Sequence, residues 1–345
     1  MSSFVKLKKE NLPEIAGIKT SIRNHQICSS GSDSFDFVIG GGIELNSIIM
    51  IGEDKFGRYS DVITKLYLGD GFHHKHQIYF ASLDEDPMKI MKDIPMPHEN
   101  QRQAQAETSS NDLRIAFRYQ DCPQIDSVQR GHQIGVTYDL NKKYPKEIIE
   151  SYENIKFFTF KDLQQQYPRS AFECVIEDLD KIVKENSNNL LRICINSVGS
   201  PLWYSDDFST QLLKFLAHLK SITRYNNVVC YMTMPLHLIN QIDETLIYRI
   251  RRLIDCNINL ESFNNIEKQT NAVFKQYHGL LHIKKLQTIA ALQSHKPEAF
   301  DLAFKLKSHR FVIEKLHLPP ELQENESNEI SMSCSSSSGN KSLDF

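Results

Sequence analysis

No run in the 345 residues approaches the ~18 consecutive apolar side chains of a membrane span, so the sequence reads as soluble. The first residues, Met1–Pro13, are charged rather than apolar, which argues against a secretory signal. Seven cysteines run from Cys28 to Cys334 without one C-x-x-C pair. That excludes the common zinc and disulfide frameworks and points to a reducing, intracellular compartment. A surplus of either charge is also missing: 40 Lys and Arg against 43 Asp and Glu leave a net −3. Without a global basic field, any nucleic-acid binding must use a local patch or a partner's charge. Repeats of solenoid type are absent as well. What remains is ordinary globular material, 40% hydrophobic and 24% charged, long enough for one α/β domain with insertions or for two domains.

One stretch organises the rest, Ser34–Gly71. Ser34–Ile39 reads as a short helix stopped by Gly40, Gly41 and Gly42. Ile48–Ile51 is an apolar run suited to a buried strand. A loop from Gly52 to Gly57 follows, then a helix carrying Val62, Ile63, Leu66 and Tyr67 on one face. Strand, glycine-bounded loop and helix make the layout of a phosphate-binding P-loop, and Gly52-x4-Gly57 has the spacing of G-x-x-x-x-G-K-[ST]. Its chemistry is altered. Arg58 stands in place of the lysine, and a planar guanidinium fork is no conservative replacement for a compact ammonium. Tyr59 stands in place of the magnesium-binding hydroxyl, with Ser60 one residue out of register. Glu53 and Asp54 lie in the loop itself. A carboxylate about 5 Å from a phosphate charge costs roughly 3 kcal/mol at an effective dielectric of about 20, on the order of a hundredfold in affinity. The sequence therefore predicts a P-loop scaffold with its nucleotide grip dismantled and no cofactor, set against an unrelated strand–turn–helix.

Strands and helices alternate from residue 45 to residue 260. Predicted strands are Thr20–Cys28, Gln77–Ser82, Leu113–Tyr119, Ile155–Phe160, Leu190–Ile195, Val228–Thr233 and Cys256–Leu260. Asp86 and Pro87 start a short helix as N-cap and first helical residue, and another is expected near Pro145–Ser151. Phe172, Val175, Ile176, Leu179, Ile182 and Val183 form an amphipathic stripe. Phe208 to Ile222 forms a second and Leu246, Ile250 and Leu253 a third. Tyr277–Leu286 and Phe311–Leu318 read as strands with no helix between them. The expected fold class is α/β: a RecA-like, mostly parallel sheet with helices on both faces and a few C-terminal antiparallel strands. The expected layout is an arm over 1–19, one domain over 20–320 with a flexible insertion at about 95–112, irregular chain over 120–143, and a disordered Ser-rich tail over 321–345.

Candidate site residues carry two readings each. Asp84 and Glu85 follow the second core strand, where an active RecA-like enzyme keeps its water-polarising glutamate; acids are also favoured at a helix start. At the end of the Leu190–Ile195 strand, Asn196 stands where a magnesium-side aspartate belongs. Lys305, Lys307 and Arg310 form either a finger acting in trans on a neighbour's phosphates or a charged edge that deters aggregation. Arg249, Arg251 and Arg252, with Lys284 and Lys285, are tRNA-contact candidates through phosphates, or a solvated face. His73, His74 and His76 lack a metal-ligand spacing and read as loop residues, leaving no metal site. Trp203, the single tryptophan, suits anchoring a loop or an interface.

Several stretches together resemble one family. Ser34-Phe35-Asp36 with Gly40–Gly42, Glu53-Asp54-Lys55 with Tyr59-Ser60, and Asp86-Pro87 fit it, as do Ile115–Tyr119 and Gly199–Trp203. So do Met234-Pro235 with His237–Ile239, Leu260–Phe263, Tyr277–Leu280 with His282-Ile283, Asp301–Lys307, Leu316–Pro320 and Leu343–Phe345. The sequence resembles the fourth-subunit family of the Elongator complex over nearly its whole length, matching poorly only at 95–112 and 119–135. That resemblance implies a RecA-like fold without functional Walker motifs and assembly with the fifth and sixth subunits into a hetero-hexameric ring. It further implies tRNA binding in support of the catalytic subcomplex, which modifies the wobble uridine with a carboxymethyl-type group, in the cytoplasm and also the nucleus. No catalytic residue carries over. The alternative is an active RecA-like ATPase with an atypical site built on Arg58, Asp84 and Glu85.

Overall fold

The computed structural model describes residues 15–20, 25–56, 58–98, 136–185, 189–264, 272–288, 297 and 299–316. In chain order the elements are β1 (Ile18–Thr20), β2 (Gln26–Cys28), α1 (Asp33–Ile39), β3 (Ile43–Glu44), β4 (Ser47–Gly52), α2 (Tyr59–His73) and β5 (Gln77–Ala81). Next come α3 (Pro87–Met91), β6 (Pro95–Pro97), β7 (Tyr138–Lys143), α4 (Lys146–Glu150), β8 (Ile155–Phe158), α5 (Phe160–Gln165), α6 (Ala171–Glu185) and β9 (Leu191–Ile195). The remainder are α7 (Phe208–Tyr225), β10 (Val228–Met234), α8 (Leu236–Ile242), α9 (Glu244–Leu253), β11 (Cys256–Ser262), β12 (Gly279–Lys285), β13 (Leu302–Leu306) and β14 (Phe311–Lys315). No helix among the described residues is long and apolar enough to cross a membrane.

The main sheet has nine strands in the order β14-β13-β12-β11-β4-β10-β9-β5-β8. From β11 to β8 all neighbours are parallel; β12, β13 and β14 join antiparallel at the far edge. This is the expected α/β arrangement, a mostly parallel sheet with antiparallel strands from the C-terminal part. Parallel strands covered on both faces need no polar alternation, which is why β4, β9 and β10 are buried at every residue. Side chains of β4 alternate between two cores. Ile49 and Ile51 pack with Phe35 of α1 and Ile63 and Tyr67 of α2. Ile48 and Met50 pack on the other face with Val175, Leu216 and Ile250 of α6, α7 and α9.

Local chemistry sets the helix ends. Gly40 closes α1 in the left-handed region, φ 100°, and Gly41 N donates to Asp36 O at 2.7 Å; only glycine takes that backbone without strain. Asp86 caps α3 by accepting from Met88 N, with Pro87 in the first turn, as the sequence predicts.

Other expectations change. Thr20–Cys28 is not one strand: β1 and β2 pair antiparallel, and β3 adds to β2 in a separate small sheet. Pro95–Pro97, placed by its composition in the insertion, is strand β6, paired with β7 inside the supposedly irregular 120–143. Strand β6 is Pro-Met-Pro, and the Tyr138–Leu140 alternation of β7 is brief; their pairing and the packing of Tyr138 and Leu140 on the core hold them. Strand β8 stops at Phe158 because Thr159 and Asp162 form a capping box that starts α5. Strand β13 and helix α8 add to the predicted elements, β13 because its Phe304-Lys305-Leu306-Lys307 end reads as a charged turn. The expected strand Leu113–Tyr119, most of the 95–112 insertion, the arm before residue 15 and the tail lie outside the described residues.

Candidate functional site

Strand β4 lies between β10 and β11, both later in the chain. The carboxyl end of β4 is thus a topological switch point, where open α/β sheets bind ligands. The chain leaves β4 at Gly52, and Glu53 N still donates to Met234 O at 2.9 Å. A Cβ at Gly52 would lie 2.7 Å from Asn259 Oδ1 and 2.8 Å from Leu236 Cδ1. The glycine is required by the protein's own packing. Gly57 is outside the described residues.

The first N–H groups of a helix attract anions. At the start of α2 that position is taken by the loop's own carboxylate. Asp54, only 6% exposed, accepts from Tyr59 N at 3.0 Å and from Ser60 N at a longer 3.5 Å. The Arg58 side chain turns outward, with Nε 2.7 Å from Asp61 and Nη2 2.6 Å from Glu85. The Tyr59 ring packs on Phe304 and His278, centroids 5.0 and 5.5 Å away. Both side chains that replace the lysine and the small hydroxyl are therefore engaged elsewhere.

Beside the loop, the ends of β4, β9 and β10 share one polar cluster. The Thr233 hydroxyl is 2.7 Å from Glu53 Oε1 and 2.9 Å from Asn196 Oδ1, and it accepts from Ser197 N at 2.7 Å. Burial pushes the Glu53 carboxyl up, against hydrogen bonds from Thr233 and Ser197. Asp84 is likewise raised by burial, opposed by the Ser200 hydroxyl donating at 2.9 Å. Burial also works on Glu85, but hydrogen bonds from Arg58 and Lys89 outweigh it and hold that carboxyl below its usual range. Chemically, the cluster binds its own acids to its own donors. Among the described residues no group of three or more His, Cys, Asp or Glu is placed to hold a metal ion.

The remaining candidates scatter. Lys305 pairs with Glu314 across the β13–β14 hairpin and sits 5.6 Å from the Tyr277 ring. Lys307 is 3.7 Å from the same Glu314, while Arg310 is exposed at the turn. Lys285 donates to Arg251 O at 2.9 Å and also to Ile254 O, closing the carboxyl end of α9; it is a structural cation. Lys284, Arg249 and Arg252 are exposed. Trp203 is 2% exposed and packs on Phe172, centroids 5.1 Å apart, so it anchors its loop to the core and does not face an interface.

The histidine expectation is corrected. His76 is buried, its Nδ1 accepting from Arg192 Nε at 3.0 Å and its Nε2 donating to Ala16 O at 2.7 Å. Arg192 Nη2 meets Asp70 Oδ2 at 2.6 Å, Tyr138 OH donates to Asp70 Oδ1 at 3.0 Å, and His74 Nδ1 lies 3.5 Å from Asp70 Oδ1. This buried network joins α2, β7 and β9. Its one sequence signal is the arginine inside the apolar strand Leu191–Ile195.

Residues 11–345 match the model of the PAXNEB protein family. The Drosophila melanogaster protein named Elongator complex protein 4 is 33% identical, with all of both chains covered. The chain belongs to the PAXNEB family, that of Elongator complex protein 4. Two further relatives of that name are 32% identical: one from Danio rerio, covering 100% of this chain and 96% of its own, and one from Homo sapiens, covering 97% and 89%. A solved KaiC-like protein from Pyrococcus horikoshii aligns with TM-score 0.48 and 13% identity over 84% of this chain and 99% of its own.

Proposed function

We propose that this Elongator complex protein 4 family member is a non-catalytic subunit of the Elongator complex. In this reading it joins the fifth and sixth subunits in a hetero-hexameric RecA-like ring. That ring binds tRNA and serves the catalytic subcomplex in carboxymethyl-type modification of the wobble uridine, in the cytoplasm and the nucleus. The observation that carries the non-catalytic part is Asp54, which occupies the amino end of α2 where a phosphate would sit. Arg58, held by Asp61 and Glu85, adds to it, because releasing that side chain toward a nucleotide would break two charge-assisted interactions. Elongator membership rests on the name its relatives carry, and ring partners and tRNA rest on the family resemblance alone.

The test is ATP binding and tRNA binding in parallel, by the isolated chain and by the complex reconstituted with its two partner subunits. The expected result is no ATP binding by the isolated chain, and tRNA binding by the complex alone. Micromolar ATP binding by the isolated chain, lost in Arg58→Ala, would favour the atypical ATPase instead. A mixture that stays monomeric, or a ring that ignores tRNA, would refute the ring reading.

A further inference from the structure

The helices α7 and α9 each precede a strand of the parallel sheet, so they run the same way and their carboxyl ends meet. Lys220 of α7 donates to Leu253 O, the last residue of α9, at 2.8 Å. In a chain of net −3, this region is one-sided. Residues 208–242 contain no Asp or Glu, and neither do residues 245–254. The flanking acids in sequence, Asp207, Asp243 and Glu244, sit at the opposite, amino ends of the two helices, and Asp180 of α6 lies 3.3 Å from His218 of α7. At the carboxyl end Asp255 is buried, 3.2 Å from Lys220 and 3.7 Å from Arg224. Lys285 covers the α9 carbonyls. The negative pole of α9 is thus neutralised from inside the fold, leaving the outer arginines to act on solvent.

One aromatic stands among those charges. Tyr248 is 67% exposed, and the Arg251 guanidinium lies 5.8 Å from its ring. Helix dipoles draw cations into a last turn, which accounts for Arg252. They do not account for Arg249 at mid-helix or for a tyrosine left in water. Neither Arg249 nor Arg252 makes an ion pair within 4.0 Å among the described residues.

We propose that the α7–α9 face is a contact surface for an unpaired stretch of RNA, with Arg249 and Arg252 taking phosphates and Tyr248 stacking on a base. Exposed aromatic faces beside guanidinium groups fit splayed, single-stranded bases, whereas a duplex buries its bases from such side chains. The proposal rests on the tRNA-binding reading and gives that binding one location on the chain.

The experiment uses the full chain reconstituted with its two partner subunits. Fluorescence anisotropy follows a labelled oligouridine of about 12 nucleotides and a tRNA transcript between about 50 and 200 mM salt. Replacing Arg249 and Arg252 together by Ala is expected to flatten the slope of log K against log salt by about 1.4 for oligouridine, near 0.7 for each phosphate no longer neutralised. Lysine at both positions should restore the slope. Tyr248→Ala should weaken binding about 5- to 100-fold and leave the slope unchanged. If the wild-type complex binds both RNAs and no variant changes affinity or slope, this surface does not touch RNA, although the tRNA reading stands. If the wild-type complex ignores both, the reading beneath the proposal fails with it. Arginine variants that no longer assemble with the partner subunits would make the face a protein interface and overturn the proposal. A loss confined to the arginines would show phosphate contact without base stacking and overturn the assignment to unpaired RNA.

Discussion

Replacing Asp54 by Ala tests what fills the amino end of α2. The carboxylate is buried and accepts from two backbone N–H groups, Tyr59 and Ser60. Losing such a cap costs about 0.5–2 kcal/mol, and losing its charge at a helix amino end adds about 0.3–1 kcal/mol. At about 2.1 cal/mol/K per residue over 345 residues each kcal/mol moves Tm by about 1.4 °C, so Asp54→Ala should melt roughly 1–4 °C lower. Asp54→Asn keeps an acceptor of the same shape, forfeits mainly the charge, and should fall less than half as far. The same change removes a repulsion of roughly 3 kcal/mol toward an incoming phosphate about 5 Å away. Millimolar pyrophosphate should therefore raise the Tm of Asp54→Ala by mass action and leave the wild type unmoved. Differential scanning fluorimetry of the three proteins, with and without pyrophosphate, reads both effects. Equal melting temperatures, or equal responses to pyrophosphate, would show that Asp54 does not fill the site.

Three more outcomes are expected. Asp70→Asn leaves the Arg192 guanidinium, 1% exposed, without its counter-charge, and chemical denaturation should show a loss of about 3–5 kcal/mol. His76 is held down to about 3 by burial and then by the facing Arg192 charge. Its folded value lies below the ordinary one of about 6.5, so the unfolded chain binds the extra proton first. Its share of stability is therefore complete above about pH 6.5 and lost as pH falls toward 3, by at most ~1.4 kcal/mol for each pH unit; His76→Gln should melt with a flatter pH profile across that window. Gly279→Ala would place a Cβ 2.2 Å from Glu261 O and 2.6 Å from Phe304 Cζ. That overpacking should cost about 1–3 kcal/mol in urea unfolding, with the larger loss if β12 cannot shift.

Much of the fold was legible because its signals are local. Apolar runs marked β4, β9 and β10, whose burial on both faces removes alternation. The period of Phe172 to Val183 marked α6, and Asp86-Pro87 marked the start of α3. Strands β6 and β7 were not legible because β6 is three residues with two prolines, β7 is mostly polar, and each is held by a partner about 40 residues away, outside any sequence window. The candidate site divides in the same way. Arg58, Tyr59 and Asn196 are departures that can be counted against a motif, whereas the use of Lys285 as a helix-end cation depends on where β12 lands beside α9.

By itself, then, the sequence determined the element types, the parallel core and the missing lysine, because propensity, periodicity and motif spacing act within a few turns of chain. Only the tertiary structure decided that Asp54 turns back onto α2, that Arg58 points to Glu85, and that Arg192 reaches His76 across 116 residues of sequence. A carboxylate or guanidinium in a string of letters has no partner until the sheet order brings one within hydrogen-bond distance, and desolvation then makes that partner obligatory.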